Sequence, residues 1–99
     1  MVNGEVIVIV EVQEVMDDVA FQAYRAQARR QLLERGGAIM GRGGELFEGT
    51  PALAGPILVQ RWPSEQAFRE WQSSEDYRPL LALRKRAARL RVIIVSAES

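Results

Sequence analysis

Arg42 stands in a glycine-rich break, Gly41-Arg42-Gly43-Gly44, and Glu48 follows six residues later. A guanidinium presented by such a bend can hold a carboxylate or an enolate through its planar fork, a bidentate grip that lysine cannot copy. Glu48 is a candidate general base. Apolar walls would raise its pKa toward the working range of a base, whereas a neighbouring Arg42 would pull it back down. The two can equally close as a structural ion pair across a bend in a strand. Further along, Trp71, Ser74 and Tyr77 recur at intervals of three, so a helical turn would bring them to one side. Ser74 reads better as a helix N-cap than as a nucleophile, since no histidine exists to activate it. Tyr77 and Tyr24 can donate hydrogen bonds to a substrate oxygen or to a backbone carbonyl, and Trp71 suits the core or a pocket wall. The chemistry open to this set is proton transfer beside a carbonyl, with Glu48 as base and Arg42 or Tyr77 steadying the oxyanion.

Composition removes most alternatives. The 99 residues contain no cysteine and no histidine, which excludes a disulfide scaffold, a thiolate site, a cysteine nucleophile and the commonest zinc ligand, haem ligand and base. No P-loop, dinucleotide fingerprint or metal-ligand cluster is present, so neither cofactor nor metal is expected. Thirteen basic and thirteen acidic residues sum to zero net charge, which argues against nucleic-acid binding by phosphate neutralisation. The basic cluster Arg84-Lys85-Arg86, with Arg89 and Arg91, reads as a solvated helix face. No run approaches the roughly 20 apolar residues of a membrane span, and Met1-Val2-Asn3-Gly4-Glu5 carries no basic leader. The expectation is a cytoplasmic protein, one domain over residues 1–99, with no membrane partner.

Positioning these residues requires a particular set of elements. Glu5 to Val12 is a β-branched run with Val6, Val8, Val10 and Val12 on one face and Ile7 and Ile9 on the other. Asp17 and Asp18 cap a helix from about 18 to 35 whose stripe is Phe21, Tyr24, Ala28 and Leu32, and Gly36-Gly37 ends it. Ala38 to Glu48 reads as a second strand with a bulge or bend near Arg42. Gly55 to Trp62 is a third strand, and Pro63-Ser64 starts a helix to about Gln72 that buries Ala67, Phe68 and Trp71. Ser74 and Pro79 look like restarts before a helical stretch, Leu80 to Ala88, and Arg89 to Ala97 is the last strand. The order predicts an α+β fold, ferredoxin-like βαββαβ, with a four-stranded antiparallel sheet and helices on one face. The first and last strands are apolar on both faces, and a second copy of the chain is the economical cover, giving a two-fold symmetric homodimer.

The spaced pattern of Asp17 and Tyr24, Gly36-Gly37, Arg42-Gly43-Gly44, Glu48-Gly49, Trp62-Pro63, Ala67, Trp71, Ser74, Tyr77 and Leu83-Arg84 spans nearly the whole chain. It resembles the bacterial family catalogued as domain of unknown function 1330, in the dimeric α+β barrel superfamily that includes the antibiotic-biosynthesis monooxygenases. The resemblance implies a dimeric α/β barrel, and it brings no established reaction. It marks Tyr24, Arg42, Glu48, Trp71, Ser74, Tyr77 and Arg84 as the polar and aromatic groups of a shared pocket. One departure stands out: Arg61-Trp62 occupies the place of the acidic residue and phenylalanine usual before the proline.

Two functions are expected from these observations, with nucleic-acid binding set aside on charge. One is binding or transformation of a small acidic or carbonyl-bearing organic molecule between sheet and helices, including cofactor-free oxygenation by analogy with the related monooxygenases. The other is a non-catalytic dimerisation module in which the same residues serve packing and capping.

Overall fold

A computed structural model describes residues 4–97. Met1 to Asn3, part of the start taken above to lack a leader, lie outside the described residues. The elements run β1 (Val6–Val15), α1 (Asp18–Glu34), β2 (Ala38–Gly43), β3 (Ile57–Trp62), α2 (Glu65–Gln72), α3 (Arg78–Ala87) and β4 (Ala88–Ser96). Capping explains where the helices begin. The Asp17 carboxylate accepts the Ala20 N–H at 3.0 Å, and the Ser64 hydroxyl accepts the Ala67 N–H at 3.0 Å, bonds worth about 1 kcal/mol each. α1 stops where Gly36 turns to a φ of +89° and the Gly37 N–H returns to the Leu32 carbonyl at 2.9 Å.

The four strands form one antiparallel sheet in the order β2-β3-β1-β4, the arrangement expected of a ferredoxin-like α+β fold, with the helices on one face. The closed barrel expected from the resemblance is not formed. β2 and β4 are the two edges of the sheet, each paired on one side only, so the strands make an open layer. Four twisted strands are too few to curl until their edges meet around a filled interior, for which about eight are needed.

One boundary differs clearly from expectation. The second strand ends at Gly43 instead of Glu48, because Gly43 and Gly44 take φ values of +94° and +87° that a paired strand does not accommodate. The expected break in the last helical region is present, a turn from Ser73 to Tyr77 between α2 and α3, and only the start of α3 moves, to Arg78 instead of Leu80.

Each face of the sheet has a distinct role. On the helix side, Val6 and Val8 of β1 and Trp62 of β3 are sealed beneath Phe21, Leu32, Phe68, Trp71, Tyr77 and Leu80. Register puts Ile7, Ile9, Ile57, Val59, Ile93 and Val95 together on the opposite side. Ile93 and Val95 are 42% and 43% exposed there. Ion pairs border this apolar patch, Arg91 with Glu11 at 3.6 Å and Arg61 with Glu5 at 3.7 Å.

At the entry to β3, Gly55 lies so close to β1 that a Cβ would collide with the Val12 carbonyl oxygen, beside the Val12 N–H bond to the Pro56 carbonyl at 3.0 Å. Gly55→Ala must displace backbone, so it should destabilise the fold by about 1–3 kcal/mol, read as a lower midpoint of thermal unfolding. Gly41→Ala, with nothing within 4 Å of the added carbon, should change stability by less than about 0.5 kcal/mol.

Candidate functional site

The aromatic block fills only one end of the helix–sheet interface. Trp62 stacks on Trp71 with centroids 5.2 Å apart, and Phe68 and Tyr77 meet these indoles edge-on at 5.6 Å and 4.8 Å. At the other end the inward positions are Val10, Val12, Leu58 and Leu90, which leave a cavity of about 570 Å³ between sheet and helices. Pockets that take small organic molecules run from about 300 to 1,000 Å³. The walls are mostly apolar, and four arginines line them: Arg25 and Arg29 from α1, Arg42 from β2 and Arg84 from α3. No aspartate or glutamate is among the lining residues, and none of the four arginines forms an ion pair among the described residues.

Arg42 reaches this side through an irregularity. Ile39 pairs with Gln60 and Gly41 with Val59, so one extra residue, Met40, is accommodated in β2. In a regular strand, residues 39 and 42 would point to opposite faces. The bulge puts both on the helix side, in register with Gln60 and Leu58.

At the cavity wall, three polar groups form a chain, Tyr24 and Arg84 lining the cavity and Tyr77 behind them. Arg84 Nη1 donates to the Tyr77 hydroxyl at 3.0 Å and lies 3.4 Å from Gln72 Oε1. The Tyr77 and Tyr24 hydroxyls are 2.6 Å apart. Burial, reinforced by Tyr77, pushes the Tyr24 hydroxyl far above the ordinary tyrosine value, and Arg84 offsets this only in part. Tyr24 is thus a neutral hydrogen-bonding group at physiological pH and cannot serve as a base.

Of the residues singled out by sequence, Tyr24, Arg42, Trp71 and Arg84 line the cavity. Tyr77 sits directly behind them, fully buried. The Ser74 hydroxyl is occupied in the turn, donating to the Trp71 carbonyl at 2.7 Å and accepting the Tyr77 N–H at 3.2 Å. Trp71 Nε1 donates to Gln31 Oε1 at 2.9 Å, so its polar edge is also engaged. Glu48 is exposed in the 44–56 loop and does not line the cavity, and no ion pair joins it to Arg42. Sequence reasoning passed over Arg25, Arg29, Gln60 and Gln72. Gln60 carried a signal, since a glutamine between Leu58 and Trp62 interrupts the apolar side of a strand. It is buried, and its Oε1 accepts the Trp62 Nε1–H at 2.8 Å.

A family model described as a domain of unknown function, DUF1330, matches residues 5–97. The chain belongs to the DUF1330 family. No curated protein sequence matches it significantly. Among solved structures, a protein of unknown function from Rhodopseudomonas palustris superposes with a TM-score of 0.81 at 17% identity, over 99% of this chain and 85% of that one. SnoaB, a cofactor-independent oxygenase from Streptomyces nogalater, gives 0.70 at 14% identity, over 97% of this chain and 95% of its own. A protein from Jannaschia sp. CCS1 described as dimeric and ferredoxin-like gives 0.71 at 10% identity, over 95% and 100%. The DUF1330 fold also locates the departure at Arg61. Paired opposite Ile7 and bound to Glu5, Arg61 lies on the open face of the sheet, away from the cavity.

The Tyr24 shift has a consequence for alkaline stability. Above a pH of about 10 the unfolded tyrosine releases its proton while the folded one keeps it, so stability falls as pH rises. The wild-type protein should therefore lose up to about 1.4 kcal/mol per pH unit more than Tyr24→Phe in that range, measured by denaturant unfolding at a series of pH values.

Proposed function

We propose that the chain binds a small acidic or carbonyl-bearing organic molecule in the cavity of each subunit of a homodimer. The observation that carries this is a largely apolar cavity lined, among the described residues, by four arginines and no carboxylate. Apolar walls take up the body of such a ligand, and the guanidinium groups take its oxygens. A purely structural role for the same residues would favour a filled interior.

The open face of the sheet supports the dimer. Six aliphatic side chains form one contiguous patch bordered by charges, and several relatives of the same fold are described as dimeric. A second copy brings the same patch and the same border of both signs, which a two-fold axis can pair with itself.

Cofactor-free oxygenation is a second reading, favoured by the likeness to SnoaB. It suits a cavity without histidine or carboxylate, because a substrate that ionises by itself needs no base from the protein. Proton abstraction by Glu48 loses ground for the same reason.

Benzoate, acetoacetate and a simple phenol serve as probes in a thermal-shift screen. At least one should raise the unfolding midpoint by several degrees, and Arg42→Ala should lose most of that rise. Indifference to all three, at concentrations up to millimolar, would count against the cavity as a binding site. Light scattering should give twice the 11.1 kDa of one chain, and Ile9→Asp, which buries a charge between the stacked sheets, should return it to a single chain.

A further inference from the structure

The polar groups of the cavity are not free to play every part. Arg84 has only hydrogens to give, and its Nη1 donates to the Tyr77 oxygen at 3.0 Å. A single hydrogen lies between the Tyr77 and Tyr24 oxygens, 2.6 Å apart, and either hydroxyl can supply it. If Tyr24 supplied it, Tyr77 would accept twice and its own hydrogen would have no acceptor inside a fully buried pocket. Burying an unsatisfied donor costs more than exchanging partners. The alternative leaves every group satisfied behind the wall: Arg84 donates to Tyr77, Tyr77 donates to Tyr24, and the remaining hydrogen belongs to Tyr24. Of the two tyrosines, Tyr24 lines the cavity and Tyr77 does not.

The charges lead to the same end. Arg84 is half-buried, its partners are the neutral Tyr77, Tyr24 and Gln72, and no carboxylate pairs with it among the described residues. The other charged groups facing the cavity are Arg25 and Arg29 of α1 and Arg42 of β2, all cationic. A half-buried charge with neutral partners gains most from an anion delivered into the same low-dielectric space.

We propose that the cavity is a site for an organic oxyanion, a phenolate, enolate or carboxylate on an apolar body, and that Tyr24 donates a hydrogen bond to its oxygen. Arg84, acting on the Tyr24 hydroxyl both directly and through Tyr77, is the positioning residue that holds Tyr24 in the donor role. Each bond in the chain polarises the next, which offsets in part the burial that weakens Tyr24 as an acid. This inference rests on the reading of the cavity as a small-molecule site and adds the charge state of the ligand and the residue that recognises it.

4-Nitrophenol tests it, because its phenolate absorbs visible light and its neutral form does not. Titrated with excess protein across neutral pH, the bound phenol should ionise at least tenfold more readily than the free one. Tyr24→Phe should still bind the neutral phenol but lose most of that preference. Tyr77→Phe should show an intermediate loss, and it carries the test if Tyr24→Phe does not fold. Binding by the wild-type protein with no preference for the phenolate would overturn the inference and leave the proposed binding function standing. A Tyr24→Phe protein with unchanged preference would assign the effect to the arginines alone and overturn the role of Tyr24. Failure of the wild-type protein to bind either form would bring down the binding function and the inference together.

Discussion

Uneven packing between the sheet and its helices governs the architecture of this chain. Along β1 the four inward residues are all valine, yet Val6 and Val8 are sealed and Val10 and Val12 line a cavity. What differs is the layer above them. Two indoles, Phe68 and Tyr77 crowd together over the Trp62 end of the sheet, and side chains of that size hold the helices at a separation that smaller residues at the other end cannot fill. The cavity is thus the complement of the aromatic block. The same block explains why Gly37 must be glycine: a Cβ there would stand 2.9 Å from Leu32 and 3.0 Å from Trp62.

The polar groups follow from that geometry. Tyr24 comes from α1, Tyr77 from the turn before α3, and Arg84 from one face of α3, and their hydroxyls and guanidinium meet in the gap that the aromatic rings define. Ser74 and Gln31 brace this meeting point. Ser74 closes the turn that carries Tyr77, and Gln31 links Trp71 to the backbone of Asp76 at 3.1 Å, tying α1 to the α2–α3 connection. A wall built from such a satisfied network is rigid, which is what recognition of a small polar group demands. The proposed preference for an oxyanion draws on this rigidity as well as on charge.

The opposite face of the sheet obeys a different constraint. Its helices are all committed to one side, and an antiparallel sheet can leave its other side to solvent only when that side is polar. Here Ile7, Ile9, Val59 and their neighbours make it apolar. Stacking against a second sheet is the proposed solution, and it keeps the two proposed functions apart, association on one face of each chain and ligand binding on the other. Arg61 belongs to the first, which is why its departure from the family pattern leaves the cavity untouched.

Local chemistry in the sequence determined much of this. Strand and helix order, the caps at Asp17 and Ser64, the glycine stop after α1, the bulge near Arg42 and the doubly apolar first and last strands all rest on near neighbours or on simple periodicity, and they can be read residue by residue. The short stripe of Tyr24, Trp71, Tyr77 and Arg84 was legible only as a set of types whose meeting no spacing could guarantee. Other features belong to tertiary structure alone. Whether four strands close or stay open depends on the pairing of β2 and β4, which are distant in sequence and become the two edges. Whether Glu48 or Arg42 lines the cavity depends on a one-residue bulge and on a strand that ends five residues early, and a single residue decides which side of a sheet a side chain takes. The cavity itself is a volume left over by side chains from every element of the fold, and no window of sequence contains a quantity that only exists when those elements are packed.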